Sequence, residues 1–217
     1  MAKSRRPRAL IVSPTRELAE QIFAVTKSLS HYAKVSSRLI LGGRPFALQR
    51  QNLEAPVDVV VGTPGRLVKH CEEKSLFLGG CKFVVLDEAD TLYEAGFGED
   101  VERLLRPVKN RNRGDDGGDE SKKKSTTIVL VSATMPDRLK KLIDTSLPDV
   151  QYVKTQTLHK SAPGLKHNFI NVPGSEDKMK YVEDIVVPMH ERGKRVMVFC
   201  NTVSSCVAVE KTMAERN

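Results

Sequence analysis

The sequence predicts an α/β fold in which helices cover both faces of a parallel β-sheet, and two observations support this prediction. Short apolar runs rich in β-branched residues alternate with longer segments in which apolar residues recur at helical spacing. The run at 83–86, Phe-Val-Val-Leu, is apolar throughout, which is typical of a strand buried on both faces. Strands and helices that alternate in this way form parallel sheets, because each helix returns the chain to the starting edge.

The predicted elements of this sheet follow one another up to residue 154. Strands are predicted at 9–13, 38–41, 57–61, 82–86, 127–131 and 150–153, and helices at 14–29, 45–53, 63–74, 98–105 and 136–146. The first helix shows this spacing in Leu18, Ile22, Val25 and Leu29. Residues 109–125 are charged, rich in glycine and without apolar residues, which predicts a disordered surface insertion.

A second domain is expected after a linker at 155–166, a stretch of mixed polarity that contains Pro163-Gly164. The first domain then spans 1–154. Within 167–217, strands are predicted at 168–172 and 195–199, and helices at 176–190 and 203–215. So short a segment cannot bury both faces of a sheet by itself, so we expect it to be the start of a second domain.

The chain is basic, with a net charge of +8 at pH 7 and a pI of about 9.3. This charge favours polyanionic partners. The few aromatic residues and the lack of tryptophan argue against base reading on aromatic surfaces, so contact with backbone phosphates is the more natural use of the charge. No apolar run approaches the length of a transmembrane helix, and residues 1–8 lack the apolar core of a secretory signal, so no membrane association is expected.

Four cysteines, Cys71, Cys81, Cys200 and Cys206, show no metal-site pattern. None forms a CxxC pair, and no pair of histidines completes a zinc spacing. We therefore expect free thiols in an intracellular, reducing compartment, without distinguishing cytoplasm, nucleus and organelle.

Three carboxylates, Asp87, Glu88 and Asp90, follow the buried strand at 82–86. Ligands of open α/β sheets bind at the carboxyl ends of the strands, so these acids lie where chemistry is expected. A carboxylate there can hold Mg²⁺, usually through water, and its neighbour can orient a water for attack on a phosphoryl group. The alternative, equally supported by these residues alone, is a solvated acidic turn that caps the next helix.

Two strand-to-helix junctions share one form, Ser13-Pro14-Thr15-Arg16 and Thr63-Pro64-Gly65-Arg66. A Ser or Thr cap followed by proline starts a helix whose free N–H groups bind phosphate. Each first turn also holds an arginine, which the helix dipole disfavours unless an anion is bound. Gly42-Gly43 lets the backbone approach another chain closely. Each junction alone is more simply a well-capped turn, but three at one sheet edge indicate a nucleic-acid backbone track.

Ser132-Ala133-Thr134 follows the strand at 127–131, at the same edge as the acids. Its hydroxyls can form hydrogen bonds with Asp90 and so link the acids to a neighbouring segment. An ordinary helix cap is the alternative.

Taken in order, five of these segments resemble the motifs of the DEAD-box RNA helicases. They are Pro14-Thr15-Arg16-Glu17-Leu18-Ala19, Gly42-Gly43, Thr63-Pro64-Gly65-Arg66, Asp87-Glu88-Ala89-Asp90 and Ser132-Ala133-Thr134. Val198-Phe199-Cys200-Asn201-Thr202 resembles the first motif of that family's second RecA-like domain. The resemblance covers almost the whole chain. It implies a RecA-like sheet of the P-loop NTPase type, in an incomplete first domain followed by the start of a second.

The resemblance also implies a role for each matching residue. The positions of Asp87 and Glu88 serve Mg²⁺–ATP and the hydrolytic water, with Asp87 at the metal. The position of Asp90 tethers this motif to its neighbours, and Ser132, Ala133 and Thr134 couple ATP hydrolysis to strand separation. The positions that line the RNA sugar-phosphate backbone are Pro14, Thr15, Arg16, Gly42, Gly43, Thr63, Gly65 and Arg66. The position of Phe199 helps to order the second domain's face of the cleft, and Asn201 and Thr202 belong to the same second-domain motif.

The implied function is an ATP-dependent RNA helicase that couples ATP hydrolysis to local unwinding of RNA. ATP and Mg²⁺ are its cofactors and RNA is its partner, while protein partners are left open. However, no GxxxxGK[ST] phosphate loop occurs in the 217 residues, nor do the family's adenine and arginine-finger motifs. We therefore expect an internal piece of a helicase that does not hydrolyse ATP by itself.

Two alternatives accompany this interpretation. The first is a non-catalytic RNA-binding or regulatory product that keeps the backbone track. The second is another P-loop ATPase with an Asp-Glu pair, which the segments 14–19 and 132–134 disfavour.

Overall fold

A computed structural model describes residues 2–113, 126–147, 150–154, 164–174 and 176–215. The chain forms two compact units, Met1–Lys160 and Ser161–Asn217. The predicted linker at 155–166 lies outside the described residues except for 164–166, so the predicted domain bounds remain a prediction.

The first unit is built on a parallel sheet with helices packed against it. In chain order its strands are β1 (Lys3–Ser4), β2 (Ala9–Val12), β3 (Ser37–Ile40), β4 (Pro56–Val57), β5 (Val59–Gly62), β6 (Phe83–Leu86) and β7 (Thr127–Leu130). Its helices are α1 (Arg16–Ala33), α2 (Phe46–Glu54), α3 (Pro64–Glu72), α4 (Ala89–Glu94), α5 (Gly98–Arg113) and α6 (Asp137–Ser146). The sheet has the order β3-β5-β2-β6-β7, while β1 and β4 form a separate antiparallel ladder.

The register aligns the carboxyl ends of the five parallel strands. Val12 lies opposite Gly62 on one side and Leu86 on the other. Gly62 in turn lies opposite Ile40, and Leu86 lies opposite Leu130. Because the strands are parallel, the segments that follow them leave the sheet at one common edge.

Two buried clusters lie on opposite faces of the sheet, because side chains alternate along each strand. On one face Leu10 of β2 belongs to the larger cluster, together with Leu67 of α3 and Leu104 of α5. On the other face Ile11 of β2 packs with Ala19 of α1. Each fully buried leucine contributes about 2 kcal/mol to folding. Helices therefore cover both faces, which confirms the predicted α/β fold.

Two predicted elements have different bounds in the structure, one because of helix capping and the other because of strand pairing. α1 begins two residues later than predicted, because Thr15 is its cap, and it continues to Ala33. The predicted strand at 57–61 is divided in two, since Val57 pairs with Lys3 in β4 and the parallel ladder begins only after the next residue.

Three other predictions differ from the structure. The sequence does not predict α4, which is too short to show a periodic pattern. α5 continues to Arg113, so residues 109–113 are helical where a disordered insertion is predicted, and 114–125 lie outside the described residues. A helix that is already nucleated adds charged residues at little cost.

The predicted strand at 150–153 forms no ladder among the described residues, since a strand needs a hydrogen-bonded neighbour.

The second unit contains two helices close to the predicted positions, α7 (Lys178–Glu191) and α8 (Val203–Ala214). The side chains of Asp177 and Thr202 cap them by accepting first-turn N–H groups at 2.9 and 3.1 Å. The strands predicted at 168–172 and 195–199 form no ladder in the part of the chain that the structure describes, where no strand lies beside them. No described helix in either unit is long and apolar enough to cross a membrane.

Gly62, the last residue of β5, is required where β5 lies against β3. A Cβ at Gly62 would lie 2.3 Å from the carbonyl oxygen of Ile40 and 3.2 Å from the side chain of Leu67. Because the clash is with the backbone of a paired strand, Gly62→Ala is expected to lower the free energy of unfolding by about 2–4 kcal/mol in urea titrations. Gly80→Ala is the matched control, since a Cβ there meets no atom within 4 Å. Equal stability of the two variants would contradict this prediction.

Candidate functional site

Residues 13–16 turn the chain from β2 into α1. Ser13 is fully buried, and its hydroxyl donates to the carbonyl of Thr15 at 3.2 Å. Thr15 caps α1, because its hydroxyl oxygen accepts a hydrogen bond from the N–H of Leu18 at 3.2 Å. The sequence predicts Ser13 as the cap, but its hydroxyl is already engaged, so the cap is Thr15 and the buried Pro14 precedes it. Arg16 is therefore the first helical residue, and its side chain is exposed.

The Arg16 side chain lies against the Gly42-Gly43 turn that follows β3. Gly43 has a φ of +80°, and a Cβ there would lie 2.7 Å from Nη1 of Arg16. A Cβ on Gly42 would lie 3.7 Å from the nearest guanidinium atom, which is an ordinary contact. Gly43 is thus required both by the turn and by the approach of Arg16. The structure brings these predicted track residues of two separate segments into contact.

The buried side chain of Gln49, in α2, holds this turn in shape. Its Oε1 accepts a hydrogen bond from the N–H of Leu41 at 3.1 Å. Its Nε2 donates to the carbonyls of Leu41 and Arg44, at 3.0 and 3.3 Å. The amide therefore satisfies backbone groups on both sides of Gly42-Gly43, where the chain has left the sheet and has no strand partner.

Residues 63–66 turn the chain from β5 into α3. Thr63 is the cap residue and Pro64 is the first helical residue, but the Thr63 hydroxyl accepts no hydrogen bond from the helix. The first N–H groups of α3, next to the exposed Gly65, can therefore bind an anion. Nη1 of Arg66 donates to the carbonyl of Arg44 at 2.8 Å, which joins this segment to the Gly42-Gly43 turn.

Next to this segment, Phe46 of α2 stacks on His70 of α3 with the ring centroids 4.1 Å apart. His70 is fully buried, and its Nδ1 lies 2.8 Å from the hydroxyl of Ser75. Its Nε2 has no hydrogen-bond partner among the described residues. Burial, together with the charges of Arg66 and Lys69, lowers the pKa of His70 to about 4. The imidazole is therefore neutral at pH 7, so the Phe46 ring stacks on an uncharged ring.

Three residues that support this edge are not predicted from the sequence, namely Phe46, Gln49 and His70. One signal for Gln49 was available, because it shares a face of the predicted helix at 45–53 with Phe46 and Leu53. A polar residue on an apolar helix face indicates a buried hydrogen-bonding role. The stack of Phe46 on His70 leaves no such signal, because it joins residues of two different helices.

Asp87 and Glu88 follow β6 directly. The N–H of Asp87 donates to the carbonyl of Val12 at 2.9 Å, which fixes the end of β6 to β2. The N–H of Glu88 donates to Oδ1 of Asp87 at 3.0 Å. Glu88 has a φ of 46° and a ψ of 55°, a left-handed conformation that costs a non-glycine residue about 1–2 kcal/mol. Such strain clusters at functional positions, and here it falls on an exposed carboxylate.

Asp90, in the first turn of α4, is bound to the segment that follows β7. Its carboxylate accepts hydrogen bonds from the hydroxyl of Thr134 and, at 3.2 Å, from the N–H of the same residue. The N–H of Asp90 donates to the Ser132 hydroxyl at 3.2 Å. Partial burial acts to raise the pKa of Asp90, but hydrogen bonds, led by those from Thr134 and Ser132, outweigh it and lower that pKa. Ala133 lies exposed between the two bonded residues.

The acids suit an Mg²⁺ held through water and do not form an all-protein metal cage. Among the described residues, no three His, Cys, Asp or Glu side chains are grouped closely enough to hold a metal ion. Asp87 offers one partly buried carboxylate. Mg²⁺ that accompanies a nucleotide keeps several waters and takes other ligands from phosphates, so one or two carboxylates are enough. Asp87 therefore fits the metal-binding position that the sequence predicts.

Phe199, Asn201 and Thr202 lie in the second unit, just before α8. Thr202 caps this helix, and the side chain of Phe199 is 87% exposed. Their role in a nucleotide cleft remains a prediction from the resemblance.

Comparisons with known proteins agree on one family. The family model described as DEAD/DEAH box helicase matches residues 1–142. DEAD-box ATP-dependent RNA helicase 39 of Arabidopsis thaliana is 40% identical over 214 residues, which are 98% of this chain and 33% of that relative. The chain thus spans about a third of the length of this curated relative.

Solved structures give the same result. The crystal structure of a DEAD box protein from the hyperthermophile Methanococcus jannaschii matches with a TM-score of 0.59 and 31% identity, over 72% of this chain and 39% of that one. The structure of S. cerevisiae Dbp5 bound to RNA and ADP BeF3 matches with a TM-score of 0.55 and 28% identity, over 71% of this chain and 35% of that one.

The buried, neutral His70 makes the stability of the first unit depend on pH. Its pKa in the folded protein, about 4, is lower than the 6.5 of an unperturbed histidine, so the unfolded chain binds a proton more readily. Above pH 6.5 His70 is neutral in both states, so its titration does not affect the free energy of unfolding. As the pH falls from 6.5 towards 4, protonation of the unfolded chain lowers the free energy of unfolding by up to roughly 3 kcal/mol. His70→Asn keeps a donor for Ser75 but does not titrate, so it should remove this part of the pH dependence in urea titrations. An unchanged pH profile in the variant would refute the prediction.

Proposed function

Because the chain belongs to the DEAD/DEAH box helicase family, we propose that it supplies the RNA-backbone track and the acidic half of the ATP site of an ATP-dependent RNA helicase. The observation that carries this proposal is the meeting of five family segments at one edge of a single parallel sheet. Arg16 lies against Gly43, Arg66 binds the carbonyl of Arg44, and these contacts join three segments into one surface.

The track is suited to a sugar-phosphate backbone and not to base reading. α1 and α3 both begin at this edge, so their free N–H groups and first-turn arginines, Arg16 and Arg66, are available to phosphates. Gly43 leaves room for the Arg16 guanidinium beside the turn. Binding by such groups is independent of sequence and sensitive to salt. RNA as the ligand is supported by the name of the Arabidopsis relative and by the RNA bound to Dbp5 of S. cerevisiae.

The acids are suited to the hydrolysis of ATP. Bound Mg²⁺ supplies charge neutralisation at the phosphates, and Asp87 would hold it through water. Glu88, exposed at the start of α4, orients the attacking water and accepts its proton. Asp90 holds this segment against Ser132 and Thr134, so a movement of the acids is passed to the end of β7.

The 217 residues contain no GxxxxGK[ST] loop, and we propose that they bind RNA but do not turn over ATP unaided. The same observation favours a second candidate, a non-catalytic RNA-binding protein with the same backbone track. The two differ in whether a phosphate-binding loop is joined to these residues in the natural protein, which the genomic sequence upstream of Met1 decides.

Arg16→Gln tests the backbone track. Loss of one phosphate contact should weaken binding of a fluorescein-labelled oligouridylate about three- to tenfold and reduce the slope of log affinity against log salt by about 0.7. Fluorescence anisotropy of the 217-residue chain over a salt series measures both. Arg8→Gln is the matched control, since Arg8 is also exposed but precedes β2 at the opposite edge. Equal effects of the two substitutions would count against the track.

A further inference from the structure

We propose that Lys69 is a further phosphate-binding residue, which extends the RNA track along α3 beside Arg66, and that Phe46 positions both cations. This inference rests on the proposed RNA-binding function and deepens it. Neither Lys69 nor Phe46 is among the track residues that the sequence predicts.

Lys69 and Arg66 lie over the same aromatic ring. Nζ of Lys69 is 5.3 Å from the ring centroid of Phe46, and Cζ of Arg66 is 5.9 Å from it. Both distances fall within the range of cation–π attraction, about 6 Å. The two residues are three positions apart in α3, which places them on one face of the helix. Lys69 is exposed, so a ligand bound at Arg66 can reach it.

Acidic side chains do not neutralise this pair of charges. The ion pairs among the described residues involve neither Arg66 nor Lys69. Two cations on one ring repel each other, and Arg66 also lies in the first turn of α3, where the helix dipole disfavours a positive charge. Cation–π attraction to the Phe46 ring offsets this cost but leaves both charges without a counter-ion. An anion bound between the two cations would remove the repulsion.

Phe46 is itself held firmly enough to position the two cations. Its ring stacks on His70, which is fully buried. One turn further along α2, Gln49 binds the carbonyl of Arg44, and Arg66 donates to the same carbonyl. The two helices and the turn before α2 are therefore joined around the Phe46 ring. Cations that are ordered in advance lose less conformational freedom when they bind phosphate.

RNA phosphate is the anion that this surface fits. Arg66 connects the pair to the Gly42-Gly43 turn through Arg44, and that turn connects it to Arg16. The three cations thus belong to one connected surface, which begins at the edge of the sheet and continues along α3. A free phosphate would use one of these positions, whereas a single strand of RNA would use several at once.

Lys69→Gln tests this inference in the 217-residue chain with a fluorescein-labelled oligouridylate. We expect about three- to tenfold weaker binding and a salt slope smaller by about 0.7, the effect of one lost phosphate contact. Lys82→Gln is the matched control, because Lys82 is an exposed lysine just before β6, at the opposite edge of the sheet.

Two substitutions test the role of Phe46. Phe46→Leu removes the ring without changing the charge and should weaken binding by a similar factor, whereas Phe46→Tyr keeps the ring and should bind like the wild-type chain.

The outcomes separate this inference from the function on which it rests. If Arg16→Gln and Arg66→Gln weaken binding while Lys69→Gln behaves like Lys82→Gln, the track stands and the assignment of Lys69 is overturned. If the wild-type chain binds no oligouridylate, both proposals are overturned. Urea unfolding shows whether each variant folds. Should Phe46→Leu fail to fold, the comparison of Lys69→Gln with Lys82→Gln still decides the inference.

Discussion

The shared register of five parallel strands is the constraint on which the rest of this structure depends. Hydrogen bonds between neighbouring strands hold Val12, Gly62 and Leu86 in line, and every site segment of the first unit begins just beyond a strand end. A shift of one residue in any strand would turn its buried side chains to the other face and move its segment along the edge. The apolar pattern that buries the core therefore also places Arg16 and Asp87 at the same edge.

Contacts between segments turn this edge into one connected surface. Arg16 joins the end of β2 to the turn after β3, and Arg66 joins that turn to the start of α3. The N–H of Asp87 ties β6 to β2, and Asp90 ties α4 to the segment after β7. A displacement of the acids can thus reach the RNA track through β2, which gives the proposed coupling between hydrolysis and RNA binding a physical route. Gln49 and the stack of Phe46 on His70 support the same surface from α2.

The fold class and the common edge could be predicted from sequence because both follow from local patterns. Alternating strands and helices imply parallel pairing, and parallel pairing alone places the segments after 12, 40, 62, 86 and 130 at one edge. The details that the sequence does not reveal depend on contacts between distant residues. Only the packing of the elements produces the left-handed backbone of Glu88, the hydrogen bonds of the Gln49 amide to Leu41 and Arg44, and the burial of His70. The end of α5 was mispredicted because charge and glycine content indicate loops even where a helix continues.

We propose that one sheet edge carries both an RNA track and the acids of an ATP site. The most direct test is RNA-stimulated ATP hydrolysis by a protein in which these residues are joined to a phosphate-binding loop. Glu88→Gln is compared with Glu94→Gln, which changes an exposed glutamate at the end of α4, the helix that begins directly after Glu88. We expect Glu88→Gln to lower kcat at least about 100-fold while nucleotide binding persists, and Glu94→Gln to have little effect. Equal turnover by the two variants would contradict the claim.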